Sequence, residues 1–229
     1  MRMDVARLGW IAALLALTSI ACGGTGALAT AGPPITPVVA LPPEWTPTPA
    51  PAAQLPAGWH PLLGSGVELW LPESFDGGDP ATRRDELITN LSALGAGYEN
   101  LVALLEAGAP GMVFFAYDSG LAGATVGITR RDLPASVPLS EYLAVFVSEV
   151  PNSAPGIVVL DHGTLNVGGE DVGKVMMDIT TGGTTATQVS YILHRGDVVY
   201  TVSYAVPREF FAEAQPAFEA SIGSFRVTQ

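Results

Sequence analysis

The chain has 229 residues, a formal charge of −12 and one cysteine, with 48% hydrophobic and 14% charged residues. That length allows one ordinary domain plus extras, and a lone cysteine excludes a disulfide framework and a thiolate metal cluster. The acidic balance opposes nucleic acid and anionic headgroups as partners, because long-range repulsion resists encounter.

Residues 1–21 place Arg2 and Arg7 around the start of an apolar run, Leu8 to Leu17, that is followed by small residues. The run is too short to span a bilayer and has the form of a secretory signal peptide. Ser19-Ile20-Ala21-Cys22 resembles a bacterial lipobox. That resemblance implies cleavage before Cys22 and attachment of lipid to it, which excludes Cys22 as an enzymatic nucleophile. The expected location is the extracytoplasmic face of a bacterial cell membrane, held there through Cys22. Residues 22–56 then change character: nine of the chain's 19 prolines fall between Pro33 and Pro56, with almost no charge. Such a segment cannot bury a core and is expected to be a disordered, partly polyproline II tether.

The globular domain is expected over residues 57–229. Val67, Leu69 and Leu71 alternate in a strand that Pro72 ends. Asp79-Pro80 reads as a cap and first position of a helix over Pro80 to Leu94, with Leu87, Leu91 and Leu94 on one stripe. A second helix runs from Tyr98 to Ala107, before Gly108. Met112 to Tyr117 and Ala124 to Thr129 read as paired strands. Ser140 is expected to cap a helix through Val150 that Pro151 closes. Ile157 to Leu160 and Thr164 to Val167 give one or two strands interrupted near Asp161-His162-Gly163. A three-strand meander follows, around Val175 to Ile179, Val189 to Leu193 and Val198 to Val206. Thr181-Gly182-Gly183-Thr184 and Arg195-Gly196 supply its turns. Phe211, Phe218 and Ile222 mark a closing helix that Pro216 should kink or restart.

The ending YTVSYAVPREFFAEAQPAFEASIGSFRV, with the upstream GGEDVGKVMMDIT and TQVSYILHRGDVVYTVSY, resembles PsbP-like domains. That family takes in PsbP, DcrB and LpqN-type lipoproteins. The resemblance implies an α+β domain, a central antiparallel sheet flanked by helices on both faces in an α/β/α sandwich. It also implies that Tyr200, Phe218 and Phe225 are core, and it carries over no catalytic residue.

Apparent motifs are better explained by the fold. Gly168-x-x-x-x-Gly173-Lys174 lacks the Ser or Thr of a P-loop and leads into a strand. Arg195-Gly196-Asp197 spells a recognition tripeptide where a hairpin needs glycine. Asp76-Gly77-Gly78-Asp79 offers oxygens for Ca²⁺, yet reads as a turn before a helix. Asn90-Leu91-Ser92 matches a glycosylation acceptor but falls on a helix. His60, His162 and His194 have no metal spacing, so neither a metal nor a cofactor is expected. Trp59 and Trp70 are expected in the core, with a ligand groove as the alternative; Asp161 and His162 are the remaining polar candidates. The chain therefore reads as a lipid-anchored protein whose domain binds an envelope protein or small ligand without catalysis. An envelope hydrolase using Asp161 and His162 is the competing reading.

Overall fold

The computed structural model describes residues 57–95, 98–120, 123–153, 155–181 and 183–228. The leader, Cys22 and the Pro-rich segment lie outside the described residues. Trp59–Gly64 (β1) and Val67–Pro72 (β2) form an antiparallel hairpin with Leu62 opposite Leu69. The alternation of β2 buries Val67, Leu69 and Leu71, as the sequence predicts. The strand β1 has no such pattern, and its pairing comes from β2.

Phe75–Gly78 (β3) is a short strand rather than the expected turn. Glycine permits it: a Cβ on Gly77 would stand 2.5 Å from the Cα of Ala116 on the neighbouring strand. Two helices follow, Arg84–Ala93 (α1) and Glu99–Ala107 (α2). The first begins a turn later than expected. Asp79 Oδ1 accepts from the Ala81 N–H at 2.8 Å and its carbonyl accepts from the Arg83 N–H at 2.9 Å, which closes a separate turn ahead of the helix. Gly108 ends α2 with φ +68°.

Met112–Asp118 (β4) and Thr125–Asp132 (β5) pair as expected. The helix Leu139–Ser153 (α3) starts before Ser140, which is therefore no cap, and continues through Pro151. Proline forfeits one bond there, and Asn152 Nδ2 donates to the Ser148 carbonyl at 2.8 Å in the same turn.

Four long strands come next: Ile157–Val167 (β6), Glu170–Thr181 (β7), Thr184–Arg195 (β8) and Val198–Pro207 (β9). A register shift between Val159 and Asp161 leaves β6 one continuous strand with a bulge, not an interrupted pair. After a 3₁₀ turn at Arg208–Phe210, Phe211–Ile222 (α4) runs unbroken, and Arg226–Val227 (β10) closes the chain. Pro216 costs α4 only the bond to the Ala212 carbonyl, close to the helix start, so the helix neither stops nor restarts.

The result is a mixed α+β fold. Seven strands form one antiparallel sheet in the order β3-β4-β5-β9-β8-β7-β6, and a second sheet of order β1-β2-β10 was not anticipated. Alternate residues of the meander enter different clusters, as period-two geometry requires. Val189, Tyr191, Leu193, Val202 and Tyr204 pack with Val67, Leu69 and Leu71 of β2 and with Ala214, Phe218 and Ile222 of α4. Val175, Met177, Ile179, Ile192 and Val199 pack with Leu143, Phe146 and Val150 of α3. A third cluster joins Leu87, Leu91, Leu101 and Leu105 of α1 and α2 to Phe115 and Tyr117. Tyr200, Phe218 and Phe225 are all buried, as the resemblance implies.

Candidate functional site

A cleft of about 640 Å³ opens where the β6–β7 turn, the β8–β9 hairpin and the segment after α4 converge. Its size lies within the range of small-molecule sites, about 300–1,000 Å³. Leu193 of β8 and Tyr200 of β9 are opposite each other in the ladder and face the cleft with Ile222 and Phe225. These four belong to the core cluster, so the cleft floor is the edge of the core itself.

Hairpin geometry places the charged rim. Gly168 and Gly169, with φ of +62° and +92°, make the two-residue turn that returns β6 into β7. This is the local conformation that only glycine adopts without strain, and it accounts for the P-loop echo. Continuing the register of Gly173 opposite Ile192 sets Glu170 opposite Arg195, and the two form an ion pair. Arg195 follows Leu193 by two positions, so its side chain overhangs the same face. Gly196, at φ +59°, turns the chain into β9, while Asp197 Oδ1 accepts from the Ala135 N–H at 2.8 Å. The RGD tripeptide is thus a hairpin whose aspartate holds a neighbouring loop.

The far wall is fixed by serines. Ser221 Oγ accepts from the Tyr204 hydroxyl at 2.9 Å and donates to the Trp70 carbonyl at 2.8 Å. Ser224 Oγ donates to the Ser221 carbonyl at 2.6 Å and accepts from the Trp70 N–H at 2.9 Å. Burial pushes the Tyr204 phenol up, which keeps it a neutral donor. These bonds hold the turn after α4 against β2, and Phe225 then packs on Tyr200 with ring centroids 5.6 Å apart. Arg226 follows at the cleft mouth, where its Nη1 donates to the carbonyls of Gly223 at 3.2 Å and Phe225 at 2.8 Å. Burial, and after it the charge of Arg226, hold Arg195 below its ordinary value.

The ligand-surface candidates of the sequence, Trp59, Trp70, Asp161 and His162, do not line this cleft. Trp59 and Trp70 are half-buried on β1 and β2, outside the core clusters, so the expectation that they are core is not met. The register puts Trp59 opposite Pro72 and Pro61 opposite Trp70, on the hairpin face away from Leu69. Trp70 Nε1 donates to Glu68 Oε1 at 2.8 Å. Asp161 and His162 are exposed on β6, the edge strand of the larger sheet. As neighbours in a strand they point to opposite faces, and no hydrogen bond joins them, so the structure brings no catalytic pair together there. His60 Nε2 lies 3.0 Å from the Phe75 carbonyl, and His194 lies near Leu133.

Asp76 is engaged with its own fold: it accepts from Tyr117 Oη at 3.1 Å and Asn90 Nδ2 at 3.0 Å and pairs with Arg83 at 3.3 Å. Asn90 is therefore a clamp for α1. Among the described residues no group of three or more His, Cys, Asp or Glu is placed to hold a metal, and no helix is long and apolar enough to cross a membrane.

Sequence reasoning missed Glu170, Arg195 and Arg226 as a group. Their one signal is scarcity: the chain has ten Lys and Arg residues, and Arg2 and Arg7 lie in the leader.

No family model and no curated protein sequence matches the chain. Among solved structures, cyanobacterial PsbP from Synechocystis sp. PCC 6803 is similar with a TM-score of 0.50 at 12% identity, covering 71% of this chain and 87% of that one. LpqN of Mycobacterium tuberculosis, described as involved in cell envelope biogenesis, gives 0.47 at 13% identity, covering 75% and 91%. The Saccharomyces cerevisiae Ran-binding protein Mog1p gives 0.44 at 15% identity, covering 72% and 91%. The likeness to PsbP concerns the fold, which is PsbP-like.

Proposed function

We propose that this chain is a lipid-anchored extracytoplasmic binding protein that holds a small ligand in the cleft between the hairpin ends and the segment after α4, without catalysis. In this reading residues 1–21 are removed, Cys22 carries the anchor, residues 22–56 are the tether, and residues 57–229 are the PsbP-like domain. Helices cover both faces of the larger sheet, α4 with the small sheet on one and α1 to α3 on the other. The alternate-residue membership of the core clusters supports that layering.

The observation that carries the reading is the cleft: a buried floor continuous with the core, partly exposed Val167, Val198 and Val227 above it, and a rim of charged groups held in place by two hairpins. The apolar surface that the cleft does leave open to water, at Val167, Val198 and Val227, is stabilised when something covers it. The test is native mass spectrometry of the full chain purified from its own host, beside Val198→Trp, which fills the cleft mouth. A copurified small molecule on the parent and its loss from Val198→Trp is the expected result. A ligand retained equally by both would move the site elsewhere. Fractionation of Cys22→Ser tests the anchor, with release from the membrane expected.

A further inference from the structure

The cleft combines two features that rarely meet on so acidic a chain. Its floor is apolar, and its mouth carries two guanidinium groups against one carboxylate. Four of the other cations pair with acids: Arg83 with Asp76 and Glu86, Arg130 with Asp132, Lys174 with Glu219, and Arg208 with Asp178. Arg226 has no acidic partner among the described residues; it bonds only to main-chain carbonyls through Nη1, leaving Nε and Nη2 able to donate. Arg195 answers to Glu170 alone and is disfavoured by the charge of Arg226 beside it. Two like charges at the mouth of a partly desolvated cleft repel, and an anion between them offsets that repulsion.

We infer that the cleft takes an amphiphile with one anionic head, carboxylate or phosphate, and an apolar tail. Arg195 and Arg226 hold the head, and the tail lies over Val167, Val198 and Val227, above the buried Leu193, Tyr200, Ile222 and Phe225. This rests on the reading of the cleft as a small-ligand site. A bare anion would leave Val167, Val198 and Val227 open to water, since it has nothing to bury there. A neutral amphiphile would cover these valines but leave two guanidiniums without a charge to meet, and charge-assisted bonds to carboxylate or phosphate are about twice as strong as neutral ones. Glu170 aligns one face of Arg195 and repels a second carboxylate, which limits the ligand to one head group.

The experiment is calorimetric titration of the full chain carrying Cys22→Ser, so that no acyl chain of its own competes. The probes are dodecanoate, a single-chain lysophosphatidic acid, dodecanol and acetate, each below its aggregation concentration. One-to-one binding of dodecanoate or lysophosphatidic acid, at least tenfold tighter than dodecanol, with no binding of acetate, is the expected result. The stronger of the two anionic probes says whether a free fatty acid or a phospholipid is the source. Arg226→Gln, at an exposed position, should lose that tenfold preference, and Arg226→Lys should keep part of it; Glu170→Gln should not weaken binding. Dodecanol binding as tightly as dodecanoate, and blocked by Val198→Trp, would overturn the anionic assignment and leave the cleft as a ligand site. Acetate binding as tightly as dodecanoate would overturn the apolar assignment. Binding of every probe unaffected by Val198→Trp would overturn both.

Discussion

The strands β6 to β9 and the hairpin β1–β2 are both antiparallel, but they are held by different kinds of contact. Each strand of the meander pairs with the next in sequence through turns as short as two residues. The hairpin instead depends on groups from the other end of the chain, with Trp70 bonded to Ser221 and Ser224 at separations of 151 and 154 residues. One region is built by local pairing and the other by closure. The difference separates what stabilises the sheet from what shapes the cleft, since the closing segment also supplies Phe225 and Arg226.

The sharpest way to break both at once is Phe218→Ala. Phe218 is 2% exposed and stacks on Tyr204 with centroids 4.8 Å apart, inside the cluster that contains β2, β8, β9 and α4. Its loss should cost about 3–5 kcal/mol in denaturant unfolding and weaken the two regions together. Ser221→Ala should separate them. Removing the hydroxyl leaves the Trp70 carbonyl and the Tyr204 phenol without that partner, at a cost of about 1–3 kcal/mol. Hydrogen exchange should rise in β1, β2 and β10 while the amides of β7 and β8 stay protected; a uniform rise would mean that the regions are one cooperative unit.

An alkaline titration offers a smaller distinction. Burial pushes Tyr117 up from 10 to about 12, with Asp76 adding to it, and burial likewise raises Tyr191 from 10 to about 12. Between those values the unfolded chain loses phenolic protons that the folded chain keeps. Stability present below pH 10 should therefore fall as pH rises toward 12. Tyr191→Phe should flatten the part of this loss that belongs to the meander. Tyr117→Phe should flatten the part that belongs to the β3–α1 clamp; an unchanged slope in either variant would remove that tyrosine from the account. Least of all, Lys174→Gln should change stability by no more than about 0.5 kcal/mol, because its pair with Glu219 is long, 4.0 Å, and partly exposed.

The same contrast explains what was legible in the sequence. The alternation of Val198, Tyr200, Val202, Tyr204 and Val206 announces a strand because one side faces a core, and adjacent pairing needs no further information. The strand β1 carries no alternation, since His60 and Pro61 interrupt it, and β3 contains two glycines that read as a turn. Both exist because a partner strand is already in place. Pro151 and Pro216 signal breaks, yet each removes only one bond, Pro151 in the last turn of α3 and Pro216 to the Ala212 carbonyl in the first turn of α4, so tertiary packing prevails. The two tryptophans misled because aromatic bulk suggests burial, while the register assigns them to the outer face of a hairpin. The cleft was illegible for a plainer reason: Arg195 and Arg226 become neighbours only through the fold, and Arg195 carried a second, louder meaning as a hairpin residue.

The pairing of β10 with β2 also sets an order of events. A chain that emerges with its N-terminus first holds Val67 to Pro72 without its later partners until residues 221–227 have followed. The small sheet, and the cleft wall that depends on it, are therefore completed only when residues 221–227 arrive. A truncation or stall short of Ser221 would remove the β10 partner of β2 and both serine bonds to the Trp70 main chain, so that residues 221–227 report completion of the small sheet.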